Sequence, residues 1–140
     1  MARNNKLFFI AWVIAIIAML GSLYFSEIKH FVPCEMCWYQ RILMYPLVVI
    51  LGFAALNEFY PFKYLALTFS VIGLGFSIYH YMEQKIPGFS SMKACVGGVP
   101  CNTEYINWAG FITIPFLAGT AFLMITILML FVKKPVNLID

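Results

Sequence analysis

Four long stretches of this chain are almost free of charge and rich in Ile, Leu, Phe and Ala, at positions 7–26, 38–57, 64–82 and 111–132. A helix of about 20 residues rises about 30 Å, which is the thickness of the hydrocarbon core of a bilayer. The uncharged run between Arg41 and Glu58 is short, so we expect its helix to begin near Cys37, with Arg41 in its first turns. The pattern predicts a single domain over 1–140, built as a bundle of four transmembrane helices.

The overall composition excludes several classes of protein. Hydrophobic residues make up 63% of the 140 residues and charged residues 11%, whereas soluble domains have about 45–50% and about 25%. Disordered chains are excluded because they combine low hydrophobicity with high charge. The nine Lys and Arg residues are scattered and form no basic stripe, which argues against nucleic-acid binding. We therefore expect an all-α integral membrane protein.

The distribution of basic residues predicts the orientation of the bundle. Lys and Arg are denser in the terminal segments and in the connection between the second and third stretches, so both termini are expected to be cytoplasmic. Outer loops then cover 27–37 and 83–110. The first stretch is longer than the roughly 7–15 apolar residues of a signal peptide and lacks a clear A-x-A-like cleavage site, so we expect it to be a retained helix. Pro46 and Pro115 predict kinks wherever their helices are continuous.

Four cysteines fall on the expected outer side, where disulfides persist. Cys34 and Cys37 form C-E-M-C at the start of the second helix, and Cys95 and Cys101 lie in the long outer loop. Two structural disulfides, a tetrahedral zinc site and thiol–disulfide exchange are all compatible with four cysteines. Zinc is disfavoured because the two pairs are far apart in sequence and the exterior is oxidising, so no metal site is expected.

Thiol–disulfide exchange suits the C-x-x-C pair best. A bridge across such a tight loop is strained and reducible, and a thiolate at a helix start is stabilised by the positive end of the helix dipole. Two cysteine pairs on the same side of the membrane allow electrons to pass by thiol–disulfide exchange. They pass from a soluble partner to the pair in the long outer loop, and then to the C-x-x-C pair at the start of the second helix. The final acceptor must lie at the membrane boundary, and a quinone there takes the two electrons and two protons of one dithiol.

The run C-E-M-C-W-Y-Q-R, from Cys34 to Arg41, strongly resembles the DsbB family of membrane thiol oxidases, and the resemblance extends over essentially the whole chain. The compact spacing of Cys95 and Cys101 is similar to that of the short Gram-positive BdbC-type members. The resemblance implies a thiol:quinone oxidoreductase of the cell membrane that supports disulfide formation in exported proteins. Its implied partner is a DsbA-type thioredoxin-fold oxidase outside the cytoplasm, and the implied quinone is menaquinone rather than ubiquinone.

The resemblance also implies a role for each cysteine. Cys95 forms the mixed disulfide with the partner, and Cys101 is the residue to which it was originally bridged. Cys34 exchanges with this loop pair, and Cys37 faces the quinone.

Arg41, Gln40 and His80 are candidate quinone-binding residues. Arg41 follows Cys37 by one helical turn and therefore lies on the same face, and it matches the family arginine near the quinone. The alternative for Arg41 is a basic side chain that snorkels from the end of a span. Gln40 is a candidate hydrogen-bond partner of the quinone ring. His80 and His30 are candidate proton donors, or simply interfacial histidines.

Two functions from other classes compete with thiol oxidation. Small multidrug-type transporters also have four helices, but they need an intramembrane acid, and the four apolar stretches contain none. A non-catalytic membrane scaffold with two structural disulfides is the remaining alternative.

Overall fold

The computed structural model describes residues 2–31, 35–86 and 109–134. Within these residues, four helices are long and apolar enough to cross a membrane, which confirms the all-α prediction. The helices are α1 (Ala2–Leu23), α2 (Glu35–Asn57), α3 (Phe62–Lys85) and α4 (Ile114–Phe131). The placement of the termini relative to the two sides of the bilayer stays a prediction.

The helix ends differ in detail from the apolar stretches. The apolar span of α1 continues through a π-helical turn at Tyr24–Ile28. α2 begins at Glu35, two residues before Cys37, near which its start is expected from the short uncharged run. α3 extends beyond its apolar stretch to Lys85, and the Ile86 N–H still donates to the carbonyl of Met82 over 2.9 Å.

The two prolines occupy different places in their helices. Pro46 lies inside α2, as expected. Pro115 is the second residue of α4, which begins at Ile114 rather than at position 111. A proline is tolerated in the first helical turn because its fixed φ suits the helix and its missing N–H would have no partner there. Pro115 therefore marks the start of α4 and not a kink.

The helices form a closed bundle in which each packs on its sequence neighbour and α4 returns to pack on α1. At one end, Asn4 contacts Lys133, and the Lys63 ammonium group donates to the carbonyl of Val132. At the opposite end, Lys85 donates to the carbonyl of Gly110 over 3.0 Å. The start of α2 lies at this second end.

Small residues allow the helices to approach closely. A Cβ atom at Gly73 of α3 would overlap the Phe122 ring of α4, and one at Gly52 of α2 would lie 2.8 Å from the indole nitrogen of Trp12. Many large apolar side chains point outward, as at Val49 and Leu56, which are each 73% exposed. This arrangement suits a bilayer, where helices associate by close packing and lipid covers their apolar outer faces.

Candidate functional site

A cavity of about 400 Å³ lies between α1, α2 and α4. Most of its lining is apolar, and its thiol and polar side chains come mainly from the first turns of α2 and the last turn of α1. These side chains belong to Ser22, Cys37, Gln40, Arg41, Tyr45 and Thr120. The cavity is therefore an apolar chamber with its main polar groups gathered near one end of the bundle.

Cys37 is the third residue of α2 and lines this cavity. Its side chain is partly buried. The first N–H groups of a helix lack intrahelical partners and form the positive end of its dipole, which stabilises a nearby thiolate. Cys34, Cys95 and Cys101 lie outside the described residues, so the relation between the two cysteine pairs stays a prediction.

Arg41 lies one turn after Cys37 and lines the same cavity. Its Nε donates to Oγ of Ser22 over 2.8 Å, and its Nη2 donates to the carbonyl oxygen of Ser22 over 2.9 Å. The guanidinium carbon lies 5.5 Å from the centre of the Trp38 ring. The charge of Arg41 is therefore held between α1 and α2, beside the cavity.

Gln40 connects the cavity to α3. Its side chain is 5% exposed and lines the cavity, and its Nε2 lies 3.1 Å from Nδ1 of His80, which is 1% exposed. His80 is not among the cavity-lining residues, so it contacts Gln40 from outside the cavity. His30 is exposed after the π-helical turn that follows α1, and it does not line the cavity. The structure thus brings Cys37, Gln40 and Arg41 to one cavity, with His80 supporting Gln40.

Three further residues of interest were not identified from the sequence. Ser22 contacts Arg41 from another helix, and no local sequence signal marks that contact. Tyr45 follows Arg41 by four residues, so helical spacing from Cys37 would have placed it on the cavity face. Glu83 is 6% exposed, and its Oε2 has no hydrogen-bond partner in the described part of the chain.

Two acidic residues lie within the membrane-spanning helices, although none is expected there from the four apolar stretches. The span of α3, Phe62–Lys85, includes Glu83, and the first span, Arg3–Ile28, includes Glu27. The expectation of no acidic residue within a span is therefore wrong, and it does not exclude a transporter.

The fold is a bundle of four membrane-spanning helices. Its site combines the second cysteine of a C-x-x-C pair with a fixed arginine on the wall of an apolar cavity. Together they define a class of membrane thiol protein. Residues 4–132 match the family described as "Disulfide bond formation protein DsbB". The chain belongs to the DsbB family, which confirms the resemblance and implies a role in thiol oxidation during disulfide formation.

Three curated relatives are similar over most of their length. Disulfide bond formation protein C of Bacillus subtilis (strain 168) is 60% identical over 132 residues, covering 93% of this chain and 96% of the relative. A probable disulfide formation protein of Oceanobacillus iheyensis is 51% identical over 133 residues, covering 94% of this chain and 92% of the relative. A probable disulfide formation protein of Coxiella burnetii (strain CbuK_Q154) is 44% identical over 126 residues, covering 89% of this chain and 84% of the relative. No solved structure matches the chain significantly.

Proposed function

We propose that this protein is a membrane thiol:quinone oxidoreductase that reoxidises an extracytoplasmic DsbA-type thioredoxin-fold oxidase and passes the electrons to menaquinone. The observation that supports this most directly is the position of Cys37 and Arg41 on the wall of one apolar cavity within the membrane-spanning bundle. A structural disulfide would need neither the cavity nor the fixed charge.

The cavity has the chemistry that a quinone ring requires. Small-molecule pockets have volumes of about 300–1,000 Å³ and apolar walls with a few placed polar groups, and this cavity of about 400 Å³ has both properties. A quinone presents carbonyl oxygens, which need donors. Arg41 has five N–H groups, of which Ser22 accepts two, so donors remain for a ligand oxygen. Bound menaquinone would supply an acceptor for two electrons and two protons.

The residues around the cavity have complementary roles. The positive charge of Arg41 lies on the cavity wall that Cys37 also lines, where it attracts a negatively charged sulfur or a reduced quinone oxygen. The Gln40 amide nitrogen is directed toward His80, which leaves its carbonyl oxygen as an acceptor for a hydroxyl group in the cavity. His80 acts through Gln40 and is therefore a positioning residue.

The cysteines transfer electrons by two balanced exchanges. The partner dithiol reduces the Cys95–Cys101 disulfide through a mixed disulfide at Cys95, and the partner leaves oxidised. The resulting loop dithiol then reduces the Cys34–Cys37 disulfide and is itself reoxidised. Each exchange breaks one S–S bond and forms one, and two electrons with two protons reach the pair next to the cavity.

The proposed location is the cell membrane, with both cysteine-bearing loops outside the cytoplasm. Two observations support it: basic residues are denser in the segments expected to be cytoplasmic, and Cys37 lies at the end of the bundle opposite Asn4 and Lys133. Cysteines outside the cytoplasm meet an environment in which disulfides persist.

Thiol trapping in vesicles tests the proposal. The protein is reconstituted with or without menaquinone, mixed with an excess of a reduced DsbA-type partner, and treated with a maleimide that labels free thiols. With menaquinone, we expect many equivalents of the partner to be oxidised. Without it, the chain should oxidise at most two equivalents and accumulate its own thiols.

The controls separate the proposal from the scaffold alternative. A Cys37→Ala variant should not oxidise the partner catalytically, even with menaquinone present. A different result would show that the proposal is wrong and the disulfides are structural. In that case the cysteines of the unmodified chain stay oxidised in the presence of reduced partner, both with and without menaquinone.

A further inference from the structure

We propose that Ser22 is a positioning residue that fixes the Arg41 guanidinium at the cavity wall and thereby sets the affinity for the quinone. This inference rests on the proposed function, because it assigns the contact that orients Arg41 for the same acceptor. Ser22 belongs to α1, whereas Cys37 and Arg41 belong to α2.

The contact uses two atoms of one residue to hold two N–H groups of one guanidinium. The Oγ atom accepts from Nε over 2.8 Å, and the carbonyl oxygen accepts from Nη2 over 2.9 Å. A guanidinium is a rigid planar fork, so two simultaneous bonds fix its orientation as well as its position. The Trp38 ring lies against its face, 5.5 Å from the guanidinium carbon.

The backbone at the end of α1 explains why Ser22 can provide both acceptors. Ser22 lies in the last turn of the regular α-helix, directly before the π-helical turn Tyr24–Ile28. The hydrogen-bonding register of the helix changes at this point, and such π-helical turns are frequent at functional sites. A carbonyl oxygen has two lone pairs, so the Ser22 carbonyl accepts from Arg41 in addition to its place in the helix.

The consequence for the cavity follows from the freedom of an arginine side chain. An arginine near the end of a span can extend toward water or lipid headgroups. The contacts with Ser22 prevent this and keep the remaining N–H groups of Arg41 beside the cavity. Removing the hydroxyl should weaken that restraint while leaving the carbonyl contact and the helix in place.

Ser22→Ala is the test, measured as the apparent KM for a short-chain menaquinone analogue and the kcat with reduced partner. We expect about a tenfold rise in KM, as for the loss of one hydrogen bond to a charged group, with a smaller change in kcat. Ser22→Thr keeps the hydroxyl and should restore a KM near that of the unmodified protein.

Ser70→Ala is the matched control. It removes the acceptor of a 3.0 Å bond from Thr126, which joins α3 to α4 and does not involve a cavity-lining residue. This variant loses an interhelical hydroxyl contact of similar length, and its KM should not change. An equal rise in KM for both serine variants would mean that general loosening of the bundle is responsible, and the role of Ser22 would be refuted.

An Arg41→Ala background decides whether Ser22 acts through Arg41. In that background the Ser22→Ala change should have no further effect on KM; a further tenfold rise would overturn the inference. An unchanged KM for Ser22→Ala alone, with normal quinone reduction by the unmodified protein, overturns only the role of Ser22. Absence of quinone reduction by the unmodified protein overturns the proposed function as well.

Discussion

Filling the cavity from Gly21 is the most direct way to ask whether it takes the electron acceptor. Gly21 lines the cavity, and a Cβ atom added there meets no other atom within 4 Å. We therefore expect a larger side chain at this position to extend into the cavity. Gly75 of α3 is equally open, but it does not line the cavity. Gly75→Leu is therefore a matched control for Gly21→Leu.

The expected size of the effect follows from the cavity volume. If each of the four carbon atoms of a leucine side chain takes about the 30 Å³ that a water molecule occupies in the liquid, the side chain fills on the order of 120 Å³. Close to a third of the cavity of about 400 Å³ is then lost. The remainder falls below the roughly 300 Å³ at the lower end of small-molecule pockets. Overpacking costs about 1–3 kcal/mol, which corresponds to binding that is about 5- to 150-fold weaker.

The assay compares the apparent KM for a menaquinone analogue in the two glycine variants. Gly21→Leu should raise KM within that range, whereas Gly75→Leu should leave it unchanged. Reduction of the cysteines by the partner in the absence of quinone should be the same in both variants, because that step does not use the cavity. Unchanged quinone kinetics in Gly21→Leu would show that the acceptor binds elsewhere and would refute the reasoning.

Three further predictions address packing, charge and the order of exchange. Gly73→Ala should lower the thermal unfolding temperature, by an amount equivalent to about 1–3 kcal/mol, because its methyl group would overlap the Phe122 ring, whereas Gly75→Ala should not. Arg41→Lys should raise the quinone KM, and Arg41→Ala should raise it further, since lysine keeps the charge but lacks the planar fork; an unchanged KM in Arg41→Lys would argue against bidentate positioning. A reduced partner without its second active-site cysteine should become covalently attached at Cys95, and peptide mapping that finds it elsewhere would overturn the assigned order.

The relation of Arg41 to Cys37 could be predicted from the sequence, but its relation to Ser22 could not. Helical periodicity alone places residues four apart on one face, and both side chains do line one cavity. The contact with Ser22 joins two helices, so it depends on their relative rotation and height. The bond between Gln40 and His80 has the same origin, because it joins α2 to α3.

The buried faces of the helices were also beyond sequence reasoning. In a soluble bundle the apolar stripe identifies the face that packs, but lipid is as apolar as a protein core. Outward-facing side chains such as Val49 and packed ones such as Leu47 are therefore of the same kind. Nothing in their chemistry distinguishes the face that borders the cavity from the face that borders lipid.

The sequence by itself determined the number of spans, the start of α2 near Cys37 and the placement of Cys37 with Arg41 on one face. These properties are local, because they depend on the run length of apolar residues and on the helical repeat. Only the tertiary structure decided that α1, α2 and α4 enclose the cavity, that Ser22 holds Arg41 and that Phe122 packs against Gly73. Each of these depends on how distant segments fit together, and in a uniformly apolar chain that fit is set by side-chain shape rather than by hydropathy.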